Sequence, residues 1–131
     1  RSGESDIYAQ HVDLTGKALW KENGQAICLE PGIQNYVSIA SDGHGNAMLV
    51  WNDDRDQSFD VYAQFIDAKG VLKWKNNGVA CCTATDNQGF PSFIIDDKDN
   101  AIITWQDSRY RDKSYWDIFA QKINGEGFLG E

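Results

Sequence analysis

The amino-acid sequence predicts an all-β fold made of repeated four-stranded antiparallel meanders, and three observations carry that expectation. First, Asp6–Gln10 (DIYAQ) returns as Asp60–Gln64 (DVYAQ) and again as Asp117–Gln121 (DIFAQ), a period of about 54 residues that slips by about three in the last copy. Second, the same step carries Trp20 to Trp74, Gly24 to Gly78, Cys28 to Cys82, Gln34 to Gln88, Trp51 to Trp105, Asp53 to Asp107 and Arg55 to Arg109. Third, the chain is rich in Trp, Tyr, Phe and Gly, and no segment combines an apolar period of about 3.6 residues with helix caps, so no helix is expected.

The elements follow in order. Residues 1–32 read as a partial unit, 33–86 as a complete one and 87–131 as a nearly complete one, forming one array of about two and a half units. In the complete unit, the apolar run Tyr36–Ser41 predicts a strand, and Asp42–Asn46 (DGHGN) supplies a glycine-rich reversal. Ala47–Trp51 is nearly all apolar, as expected of a strand covered on both faces. The polar loop Asn52–Phe59 follows, and Asp60–Asp67 alternates Val61, Ala63 and Phe65 with Tyr62, Gln64 and Ile66. Ala68–Gly70 turns the chain into an expected fourth strand around Val71–Trp74. The segment Val79–Cys82 then leads toward the next unit, where Pro91–Asp96, Ala101–Trp105 and Asp117–Asn124 repeat the pattern.

Composition narrows the function. A formal charge of −8 argues against a nucleic acid or an anionic membrane surface as partner, since both call for basic protein surfaces. No apolar run approaches the roughly 20 residues of a membrane-spanning helix. Cys28 and Cys82 hold equivalent places in different units and read as small buried residues, while Cys81 and Cys82, adjacent on a strand, point to opposite faces. Arg1 aligns with Arg55, and the run Ile123–Leu129 aligns with Ile66–Leu72, so the chain is expected to begin and end inside a repeat, as a piece of a longer protein.

A four-stranded meander at this period matches one blade of a β-propeller, because a small twisted sheet buries both faces only by stacking on neighbours. The Pro-led apolar strand, Asp-rich turn, apolar strand and final strand with a Gly turn in Pro91–Gly127 resemble NHL-type propeller repeats. The spelling DIYAQ, WxDxR and GVAxC resembles the long propeller-like repeats of secreted and surface proteins of Bacteroidetes and related bacteria. The resemblance implies a secreted or cell-surface interaction or scaffold module. It leaves two alternatives: part of a glycoside hydrolase or sialidase-like propeller, or a structural piece that self-associates through open sheet edges.

Residues that follow the period are expected to serve the fold, and those that break it to carry function. The turns at Asp42–Asn46 and Asp96–Asn100 resemble the Asp-box hairpins of sialidase propellers, although the Trp follows at a longer spacing. Their carboxylates suit a turn backbone, which is the role expected, or a calcium ion. The pairs Asp53 with Arg55 and Asp107 with Arg109 suit an inter-blade clamp, with an acidic ligand as the other reading of the arginines. The insertion in Ser108–Trp116 (SRYRDKSYW) breaks the period and gathers aromatic and basic residues in an acidic chain. Arg109, Tyr110, Arg111, Tyr115 and Trp116 are therefore the expected ligand contacts, for a carbohydrate or a protein partner. His11 and His44 have no partner at a catalytic spacing, and no zinc or phosphate-binding motif is present in the sequence, so a non-enzymatic protein with no cofactor is expected.

Overall fold

The computed structural model describes residues 4–130; Arg1, and with it the proposed equivalence to Arg55, lies outside the described residues. Nine strands and no helix are formed among the described residues. Strand β1 (Ile7–Ala9) pairs with β2 (Gln25–Cys28) in a first sheet. A second sheet runs in chain order through β3 (Gln34–Ser41), β4 (Ala47–Asp53), β5 (Asp60–Ile66) and β6 (Val79–Cys82). A third contains β7 (Gln88–Ile95), β8 (Ala101–Asp107) and β9 (Asp117–Ile123). Every strand pairing is antiparallel between sequential neighbours, which is the meander read from the sequence.

The three sheets stack face to face with the second in the middle. Because side chains alternate along a strand, β4 and β5 send one set of residues to each neighbour. Met48, Val50, Val61, Ala63 and Phe65 pack with Ala101, Ile103, Trp105 and Ile123 of the third sheet. Leu49, Trp51, Tyr62 and Ile66 pack with Ile7, Ile27 and Cys28 of the first. All residues of β4 and β5 are buried in consequence, which is why Ala47–Trp51 lacks polar alternation. Full burial stabilises each large aliphatic side chain by roughly 1.5–3 kcal/mol, so the middle sheet depends on both of its neighbours.

One strand differs from the sequence reading. The fourth strand of the second sheet is Val79–Cys82, pairing with β5, whereas Val71–Trp74 contributes only the isolated bridge between Ile66 and Leu72. The cause is Gln64. Its side-chain Oε1 accepts the amides of Phe65 and Trp74, both at 3.0 Å, and its Nε2 donates to the Lys75 carbonyl at 2.8 Å. A side-chain amide thus takes the hydrogen bonds that a ladder would use, and Gly78, at φ 90°, turns the chain back as the true fourth strand. Gln10 makes the same knot with His11, Trp20 and Lys21.

Candidate functional site

Three periodic devices join neighbouring sheets. The first is a backbone splice: the Ser5 carbonyl accepts Gln34 N–H at 3.2 Å, and the equivalent Phe59 carbonyl accepts Gln88 N–H at 2.6 Å. The second is an indole latch. Trp20 Nε1 donates to the Ala68 carbonyl at 3.0 Å and Trp74 Nε1 to the Gly125 carbonyl at 2.9 Å. Each indole also lies against a turn glycine with positive φ, Gly70 and Gly127 respectively, leaving no room for a Cβ.

The third device is built on the WxDxR signature. Asp53 is fully buried and receives Trp51 Nε1 at 2.9 Å, Arg55 Nε at 2.8 Å and a second guanidinium nitrogen of Arg55 at 2.6 Å. That same nitrogen reaches Cys28 Sγ of the first sheet at 3.4 Å, and the guanidinium lies 3.9 Å over the Tyr62 ring. Trp105, Asp107, Arg109, Cys82 and Phe119 repeat the arrangement, with Arg109 at 3.2 Å from Cys82 Sγ and 4.1 Å over Phe119. Burial pushes the Asp53 and Asp107 carboxyls upward, but the hydrogen bonds from Arg55 and Trp51, and from Arg109 and Trp105, outweigh it and hold both below the ordinary value. Burial also lifts the Cys28 thiol to about 11, so it meets the arginine as a neutral thiol.

These contacts give the arginines the clamp role, and they place Arg109 apart from the other expected ligand contacts. The remaining four lie on the loop between β8 and β9. The turn is closed by Arg111 N–H to the Ser108 carbonyl, Lys113 and Ser114 N–H to the Tyr110 carbonyl, and Ser114 Oγ to Asp117 at 2.6 Å. Ser108 ties its base to Asn87 through three hydrogen bonds of 3.0 Å: its N–H and its hydroxyl each donate to the Asn87 carbonyl, and its hydroxyl oxygen accepts Asn87 N–H. On this frame Tyr115 is 88% exposed, and Tyr110 and Trp116 are about half exposed. Arg111 faces Asp86 at 3.4 Å, and Lys113 Nζ lies 6.0 Å from the Tyr110 ring centroid. The loop therefore combines open aromatic faces with two solvent-facing cations.

The aspartates of the hairpin turns are occupied by their own backbone. Asp42 accepts His44 and Asn46 N–H, and Asp96 accepts Lys98 and Asn100 N–H. Among the described residues, no three His, Cys, Asp or Glu side chains converge as metal ligands. No described helix is long and apolar enough to cross a membrane.

Two further features escaped the sequence reading. Tyr36 and Phe90 sit at equivalent bulges of β3 and β7 with positive φ of 48° and 52°, and their exposed rings meet at 4.6 Å. Their separation by one 54-residue period was the available signal. Asp60 is buried beside Asp53, and burial, with Asp56 and Asp53 nearby, raises its carboxyl to about 6. Its recurrence in DxYAQ marked it as periodic without revealing its environment.

The fold and its devices define an all-β repeat protein of stacked antiparallel sheets. Comparisons with protein-family models, with curated proteins and with solved structures found no match to this chain.

Proposed function

We propose that this chain is a non-catalytic interaction or scaffold module of a secreted or cell-surface bacterial repeat protein, its stacked sheets serving as β-propeller-like blades. Ligand contact is assigned to the loop around Tyr110, Arg111, Tyr115 and Trp116. The observation that carries this reading is the contrast at the one insertion in the period: Trp51 and Trp105 are buried against carboxylates, whereas Trp116 and Tyr115 face solvent. Exposed aromatic faces beside cations suit a sugar ring bearing acidic groups, or an acidic protein surface, because stacking and charge act together. Affinity electrophoresis through gels containing acidic or neutral polysaccharides tests the carbohydrate form of the proposal. Retardation lost in Trp116→Ala and Tyr115→Ala, with melting unchanged, supports it; equal retardation of wild type and variants contradicts it.

A further inference from the structure

Two arginines of the β8–β9 loop, two residues apart, are held in different ways. Arg109 sets two guanidinium nitrogens on the wholly buried Asp107 carboxylate, at 2.8 and 2.5 Å. Arg111 has a side chain that is 68% exposed and makes one longer contact, 3.4 Å, with the partly exposed carboxylate of Asp86. A solvent-facing pair of this kind stabilises a fold little, so its two members are free to exchange partners. Asp86 owes its place to the backbone and not to the arginine: it precedes β7 with φ of 63°, and its carbonyl accepts Gln88 Nε2 at 3.3 Å. On the other side of Arg111, Tyr110 rests on Phe119, which packs into the joint between the second and third sheets. This end of the loop is therefore framed by two sheets of the same chain.

From this geometry we infer that Arg111 determines the specificity of the loop, that its ligand is a uronate-bearing polysaccharide, and that Asp86 stands in for the ligand carboxylate when the site is free. The inference rests on the ligand reading of the loop given above and names the ligand class. A neutral sugar covers the open face of Tyr110 but offers the guanidinium nothing in exchange for Asp86. A uronate offers both, a ring face for Tyr110 and a two-oxygen carboxylate that matches the guanidinium fork. Lys113, with Nζ 6.0 Å from the Tyr110 ring centroid, adds a second cation beside the same face. An acidic peptide brings carboxylates on flexible side chains without the ring face, which the site therefore accepts less well.

Isothermal titration calorimetry of the intact chain at low salt tests this, with an oligogalacturonate, a neutral galacto-oligosaccharide and an oligoglutamate as probes. Arg111→Gln should weaken oligogalacturonate binding by at least about tenfold. Asp86→Asn, which suits a left-handed backbone as aspartate does, should strengthen it by about two- to fivefold. In the Arg111→Gln background the Asp86→Asn gain should disappear, which separates release of the arginine from simple removal of a negative charge. Arg111→Gln binding as wild type does, no gain in Asp86→Asn, a gain that persists without Arg111, or tighter binding of oligoglutamate or of the neutral probe than of oligogalacturonate would each overturn the inference. Should Trp116→Ala abolish binding while Arg111→Gln and Asp86→Asn match wild type, the loop reading stands and this inference falls. Should wild type bind none of the three probes, both fall. Near-ultraviolet circular dichroism confirms that the variants fold, and Arg111→Lys, which keeps the charge without the fork, replaces Arg111→Gln if that variant does not.

Discussion

Arg55 grips Asp53 of its own sheet with two guanidinium nitrogens and touches Cys28 of the preceding sheet with one of them, so a single side chain closes the joint between two repeats. Arg109 does the same for Asp107 and Cys82 one repeat later. A lysine supplies a point charge and cannot present this planar fork. Arg55→Lys is expected to cost about 1–3 kcal/mol and Asp53→Ala about 3–5 kcal/mol, since the latter leaves a partly buried guanidinium and the Trp51 N–H unpaired. Urea unfolding of the two variants checks both the size and the order.

The buried carboxylates oppose one another in their pH dependence. Asp53 and Asp107 have lowered values, so their contribution is present above the ordinary carboxylate range and is lost as pH falls through it. Asp60 is raised to about 6, so the folded state binds its proton more tightly than the unfolded chain does. Its ionisation therefore removes stability as pH rises from about 4 to about 6. Asp60→Asn is expected to be more stable than wild type by about 1–2 kcal/mol at pH 7, with the difference shrinking to near zero at pH 4. Thermal melts at the two pH values read this directly.

The indole latches give a steric prediction. A Cβ at Gly127 would lie 2.9 Å from the Trp74 ring, on a backbone with φ of 84°. Gly127→Ala should cost about 1–3 kcal/mol, from left-handed strain together with displacement of the indole. In contrast, Gly43 has positive φ and open space around it, so Gly43→Ala should show the backbone cost alone, about 1 kcal/mol. The gap between the two variants in chemical denaturation isolates the latch.

The loop predicts a separation of binding from stability. Tyr115 and Trp116 are exposed on a turn held by backbone hydrogen bonds, so Tyr115→Ala and Trp116→Ala should each change stability by less than about 1 kcal/mol. Melting temperatures within a few degrees of wild type are the expected result, whichever ligand the loop takes.

The repeat made much of this legible in the sequence. Periodic Trp, Asp and Arg residues read as joints, and Trp51, Asp53 and Arg55 form one, because charge pairing and aromatic packing leave a spacing that survives without coordinates. That the fourth strand is Val79–Cys82 and not Val71–Trp74 is hidden in the sequence because Gln64 looks like an ordinary strand residue, and only its folded position shows that its side-chain amide replaces a ladder. Arg109 adjoins Tyr110 in the sequence, and the direction of its guanidinium, toward Asp107 and Cys82, is not carried by spacing. The raised Asp60 carboxyl was out of reach, since its cause is burial beside Asp53 across two strands.

Periodic tryptophans build the stack, and the aperiodic one faces solvent. Hydrogen exchange of the five indole N–H groups, followed by nuclear magnetic resonance, tests it most directly. Trp51 and Trp105, buried and bonded to carboxylates, should exchange slowest, Trp20 and Trp74 at intermediate rates, and Trp116 fastest. A Trp116 indole as protected as that of Trp51, or a Trp51 indole that exchanges as fast as that of Trp116, would contradict the account.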